Sequence, residues 1–293
     1  MYHKPVLLEQ SVDALCIEEK RDGVFIDATL GGGGHTREIL DRLGSKGTLL
    51  VFDQDEEAIE NAPGDKRVIA VRSNFRFIEN FVKYHKIEGV DGIIADLGVS
   101  SHQFDTAERG FSYRFDSQLD MRMNTEQKLS ARELIAESSL DDLTRIFREY
   151  GELDNARKVA TLICRQRESG EPILTTSDLK RVLEKLYNPQ TERKFLGKVF
   201  QALRIEVNQE MRALEDLLCG AKEVLLSGGR LSVITYHSLE DRIVKNFLRD
   251  GKAEGSFSIV NKKPILPTEE EMAANGRSRS AKLRVAERVR QSK

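Results

Sequence analysis

Asp27-Ala-Thr-Leu-Gly-Gly-Gly-Gly-His-Thr36 is the stretch whose reading decides the fold. The residues before it, Gly23-Val-Phe-Ile-Asp27, have the apolar texture of a short buried strand. After it, Thr36 to Leu43 places Ile39, Leu40 and Leu43 on one face of a helix. Strand, glycine loop and helix form the first half of a βαβ unit. Four glycines without side chains let a ligand approach the backbone closely.

The loop excludes two ligands by its own spelling. A phosphate-binding P-loop needs Lys-Ser/Thr after its last glycine, and here His35-Thr36 follows Gly34. The dinucleotide pattern G-x-G-x-x-G meets Thr36 when started at Gly31 and Arg37 when started at Gly32. A nicotinamide oxidoreductase is therefore disfavoured. What remains is an acid, Asp53, ending the next strand 22 residues beyond Gly31, where a carboxylate takes ribose hydroxyls. A ligand with a ribose and no phosphates fits, and S-adenosylmethionine is that ligand. Asp55 is a weaker candidate on the same side of an extended chain. Phe75, after the third strand, is placed to cover an adenine.

Around this loop the first hundred residues alternate strand and helix. Strands are expected at Val24–Asp27, Thr48–Asp53, Arg67–Arg72 and Gly92–Asp96, with helices at Thr36–Leu43, Glu56–Asn61 and Ile78–His85. This is a parallel α/β sheet. After Asp96 the texture changes: 104–118 reads as loop, Ser130-x-x-Glu133 as a capping box, and Asp154–Ser169 and Asp178–Tyr187 as helices. Strand signals are nearly absent, so 104–205 reads as an all-helical insertion. The expected domains are 1–103 with 206–293, and the inserted 104–205. The α/β pattern resumes with a helix Glu206–Leu226, a turn Ser227-Gly228-Gly229 and a strand Arg230–Tyr236. A last helix, Leu239–Leu248, is expected to be capped by Ser238-x-x-Asp241.

Composition narrows the class. No apolar run approaches the roughly 20 residues of a membrane span, and MYHKPVLLEQ has no basic segment followed by an apolar one, so neither membrane nor secretion is expected. Cys16, Cys164 and Cys219 are scattered without a CxxC pair, which fits a reduced cytoplasm and no structural metal. Net charge is −2 at pH 7, yet Arg145–Arg204 holds thirteen Lys/Arg against eight Asp/Glu, and Asn275–Lys293 seven against one. Two basic regions on an acidic chain point to an anionic polymer as partner.

From Asp91 to Met123, "DGIIADLGVSSHQFDTAERGFSYRFDSQLDMRM", the chain closely resembles the 16S ribosomal RNA cytidine-N4 methyltransferases, the RsmH/MraW family. "HKPVLLEQSVDAL", "DATLGGGGHT", "FQALRIEVNQE", "GGRLSVITYHSLEDRIVK" and "RSRSAKLRVAER" extend the resemblance over nearly the whole chain. It implies a Rossmann-like class I methyltransferase sheet with an inserted helical substrate-recognition domain, S-adenosylmethionine as cofactor, and small-subunit rRNA as partner. By position it implies cofactor contacts at Gly33, Gly34, His35, Asp53, Phe75, Asp96 and Gln103. Departures are Gly32, where relatives often carry a larger residue, Tyr236 for a frequent Phe, and Gly276 for a Pro.

The residues also bear on the chemistry. An exocyclic amine is a poor nucleophile, and its attack needs acceptors that draw it toward tetrahedral geometry. The Asp96 carboxylate and the Leu97 carbonyl, after the fourth strand, are candidates, and His237 at the end of the fifth could contact substrate or shuttle a proton. Methylation at carbon 5 would need a cysteine beside the fourth strand, and a zinc deaminase would need H-x-E and P-C-x-x-C; neither pattern is present. Alternatives are a DNA cytosine-N4 or adenine-N6 methyltransferase and a non-catalytic RNA-binding assembly factor.

Overall fold

The computed structural model describes residues 5–289 and divides into two compact units, Met1–Gly98 with Met211–Lys293, and Val99–Glu210. The first carries a seven-stranded sheet: β1 Val24–Asp27, β2 Thr48–Asp53, β3 Val68–Arg72, β4 Val90–Asp96, β5 Leu225–Thr235, β6 Phe257–Ile259 and β7 Lys282–Arg288. Their spatial order is β3-β2-β1-β4-β5-β7-β6, with β7 antiparallel to both neighbours and the other pairs parallel. This is the Rossmann-like class I methyltransferase sheet expected. The order reverses at β1 and β4, so the crevice beyond their C-terminal ends is the natural ligand position.

The central strands are apolar along their length because both faces are covered. Ile26, Leu50, Phe52 and Ile93 point to a core shared with Ile78, Leu214, Leu217, Ala221 and Val244. Phe25, Leu49, Val51 and Ile94 point the other way, onto Val12, Leu15, Ile17 and Ile39. Strand alternation thus builds two cores from neighbouring residues.

The second unit is helical, with helices Ala131–Glu137, Leu140–Glu149, Ala156–Glu168, Thr176–Leu183 and Glu192–Asn208 among its elements. Leu143, Phe147, Val159, Ile163, Leu179, Leu196, Val199 and Leu203 form its own core. Ser130 and Glu133 make the expected capping box. Among the described residues no helix is long and apolar enough to cross a membrane.

Several expectations are corrected. The helix read over Glu206–Leu226 is broken at Gln209, whose φ of 50° is left-handed, so Glu192–Asn208 ends there and Glu210–Val224 begins anew. Ser227-Gly228-Gly229 is no turn before a strand but an irregularity inside β5, across which the register with β4 jumps from Val90–Leu225 to Gly92–Arg230. Residues 104–118 are not all loop, since helix Ser101–Asp105 and a 3-10 turn Ala107–Arg109 enter them. The basic region Asn275–Lys293 contains a strand that its composition did not suggest: Lys282–Arg288 is β7, lying between β5 and β6, with Leu283 and Val285 buried. Its last residues, 290–293, lie outside the described residues.

Candidate active site

The glycine loop is shaped by three anchors. Asp27, 1% exposed at the end of β1, accepts the Thr29 amide at 3.0 Å and the Thr36 hydroxyl at 2.6 Å, tying strand to helix. Asn61 donates to the Gly31 carbonyl at 2.8 Å, and the Gly31 amide donates to Oδ2 of Asp53 at 3.0 Å. Gly33 has a φ of 74°, and a Cβ there would sit 3.1 Å from the Asn61 carbonyl oxygen, so glycine is favoured by conformation and by tight space. At Gly34 a Cβ would meet Pro5 Cγ at 2.0 Å. Helix Gly34–Arg42 begins directly from this loop.

Asp53 closes β2 with Oδ1 accepting the Asp55 amide at 2.9 Å. Each carboxylate oxygen therefore keeps a lone pair for another donor. Burial, with Asp55 and Asp27 nearby, raises its pKa to about 6 despite the two amides that favour the charge. Asp55 has a structural task, since its side chain accepts the Glu57 amide at the start of helix Glu56–Ile59. Phe75 opens a 3-10 turn after β3 and packs, half-buried, against the core that holds Phe52 and Ile78.

Asp96 ends β4. Its amide donates to the Thr29 hydroxyl at 2.7 Å, and its Oδ1 accepts the Tyr236 hydroxyl at 2.6 Å. Oδ2 lies 3.8 Å from Nδ1 of His35, whose Nε2 is buried without a hydrogen-bond partner. Burial raises the Asp96 pKa to about 6, while His35 and the Tyr236 hydrogen bond act in the opposite sense. Tyr236 itself is held well above the ordinary phenol range by burial and by Asp96.

His237 and Gln103, both read from the sequence as site residues, have structural duties. His237 is the N-cap of helix Ser238–Ala253, with Nδ1 accepting the Glu240 amide at 3.4 Å. The expected Ser238/Asp241 box is thus displaced by one residue. The cause is Glu240, whose Oε2 takes the amides of Tyr236 and His237 at 2.7 and 3.3 Å and so starts the helix earlier. Gln103 belongs to the helical unit, where it completes a capping box with Ser100.

The MraW methylase family matches residues 1–289. The chain belongs to that family. Its relatives include the protein named Ribosomal RNA small subunit methyltransferase H in Bacteroides fragilis, 52% identical over 98% of this chain and 97% of that one. Those of the same name in Parabacteroides distasonis and Flavobacterium johnsoniae are 51% and 50% identical, each over 98% of both chains. In this MraW methylase, the structure brings Gly33, Gly34, His35, Asp53 and Asp96 to the C-terminal edge of the sheet. Sequence reasoning missed Thr29, Glu240 and the part played by Tyr236. The signal for Tyr236 was present, a hydroxyl at the end of an apolar strand, but its partner lies 140 residues away.

Proposed function

We propose that this methylase transfers a methyl group to the exocyclic N4 amine of a cytidine in the 16S rRNA of the small ribosomal subunit. S-adenosylmethionine is the cofactor and supplies the methyl on a positively charged sulfonium. The residues present suit it. The Gly33-Gly34 backbone offers a surface clear of side chains, Asp53 has two oxygens with open lone pairs for ribose hydroxyls, and the buried Nε2 of His35 awaits a partner.

The observation that carries the amine reading is the pair of acceptors after β4. Oδ2 of Asp96 accepts no hydrogen bond among the described residues, and neither does the Leu97 carbonyl beside it. An exocyclic amine has two hydrogens, and two acceptors on adjacent residues draw both out of the ring plane. The lone pair is then released from the ring for in-line attack. Asp96 serves in its charged form, so turnover needs a pH above its pKa of about 6. The names of the relatives support small-subunit rRNA as substrate over DNA.

The test is to incubate small subunits, free rRNA and duplex DNA with labelled S-adenosylmethionine, then map the product by mass spectrometry. Label on N4 of one cytidine in rRNA is the expected result. Label on DNA favours the alternative acceptor, and binding of both ligands without turnover favours an assembly factor.

A further inference from the structure

We infer that Tyr236 is a positioning residue for methyl transfer: its hydroxyl occupies Oδ1 of Asp96, leaving Oδ2 as the oxygen that faces the target amine. The inference rests on the reading of Asp96 as the amine's acceptor and goes beyond it. The geometry comes from the sheet. Asp96 is paired with Ile234 across β4 and β5, and Tyr236 lies two residues further along, on the same side of an extended chain. Its amide is tied to Glu240 at 2.7 Å, and its ring packs against the cluster of Val6, Leu7, Ile234 and Leu283. The hydroxyl is therefore delivered to one place, at 2.6 Å from Oδ1.

The environment of Asp96 gives that bond its consequence. The groups facing the carboxyl are His35 at 3.8 Å, the acids Asp27 and Glu240, and Tyr236. The two acids and burial favour the protonated form; His35 and the Tyr236 donor favour the charged one. A protonated Asp96 would present a donor where the amine needs an acceptor. Tyr236 stays protonated, because its own pKa is raised well above the usual phenol value, so it donates at every working pH. Phenylalanine keeps the ring and its packing and loses only this bond.

The experiment compares wild type, Tyr236→Phe, Asp96→Asn and the double variant. For Tyr236→Phe, kcat on small subunits at pH 7 should fall about tenfold, of which the raised Asp96 pKa accounts for about twofold and the lost orientation of the carboxylate for the rest. The cofactor Kd and the KM for RNA should stay within about twofold, because neither is held by this hydroxyl. The acid limb of kcat should move up by about one pH unit. The titration of the Asp96 carboxyl carbon by NMR, in the protein without ligands, should move with it. In the Asp96→Asn background, Tyr236→Phe should change little further. An unmoved Asp96 titration with unchanged kcat overturns the role of Tyr236 while leaving Asp96 as acceptor if Asp96→Asn is inactive. Full turnover by Asp96→Asn overturns both.

Discussion

The amide of Gly31 donates to Oδ2 of Asp53 at 3.0 Å, so the glycine loop and the end of β2 are parts of one structure. The acid proposed to hold a ribose also holds the loop beneath it. Asp53→Ala removes charge-assisted hydrogen bonds worth roughly 1.5–3 kcal/mol each. The S-adenosylmethionine Kd should rise at least tenfold by calorimetry, with RNA affinity little changed. An unaltered cofactor Kd would falsify the assignment.

The same carboxyl makes cofactor binding depend on pH. With a pKa of about 6, Asp53 becomes protonated as pH falls through that value and loses acceptor capacity. Cofactor affinity measured from pH 8 to pH 5 should weaken below about pH 6, and Asp53→Asn should give a flatter profile. Equal slopes for the two proteins would assign the dependence to another group.

Asp96 should reduce stability at neutral pH. Its folded pKa of about 6 lies above the usual carboxyl value, so the folded chain binds more protons than the unfolded one between roughly pH 4 and pH 6. The stability this carboxyl contributes is full below that window and is lost as pH rises through it. Asp96→Asn should therefore raise the melting temperature at pH 7.5 and leave it nearly unchanged at pH 4, while abolishing most turnover. A melting temperature that falls at pH 7.5 would mean that the charged form is favoured in the fold.

Lys282 and Arg284 are committed to Asp241, at 3.3 and 2.7 Å, with Arg284 and Asp241 only 12% and 13% exposed. Arg284→Ala leaves a largely buried carboxylate short of its partner and should cost about 3 kcal/mol in urea unfolding. It should leave the salt dependence of RNA binding unchanged, because the guanidinium is already paired. A shallower salt slope with intact stability would place this strand at the RNA interface.

Cations without a partner among the described residues stand elsewhere. Lys245, Lys262 and Lys263 border a cavity of about 280 Å³ floored by Leu248, Ile259 and Pro264. If RNA phosphates meet them, replacing all three with Ala should flatten log Kd against log salt by about 2, at roughly 0.7 per contact for a single strand. Cofactor affinity should hold. A slope equal to wild type would clear this surface.

Much of the sheet was legible because local pattern and tertiary environment agree there. β1 and β2 fall where apolar runs end in Asp27 and Asp53, since strands covered on both faces must be apolar throughout. The glycine loop was legible too, as the left-handed φ and close quarters at Gly33 strain any other residue type. Where two local signals competed, the sequence left the choice open. Ser238-x-x-Asp241 and His237-x-x-Glu240 both spell a helix start, and the second won because Glu240 also satisfies two strand-end amides. Asp241 is thereby left to pair with Arg284 on β7, a strand that the basic composition of 275–293 masked and that strand pairing with β5 and β6 and the burial of Leu283 and Val285 hold in the sheet.

By itself, then, the sequence determined the strand–loop–helix unit, its acids and the ligand class they admit, because these depend on residues near one another in the chain. Only the tertiary structure decided which oxygen of Asp96 is occupied and which basic residues are already paired. Those facts depend on Tyr236 and Asp241, side chains brought from far along the chain by strand pairing, and no spacing rule encodes a hydrogen bond across 140 residues.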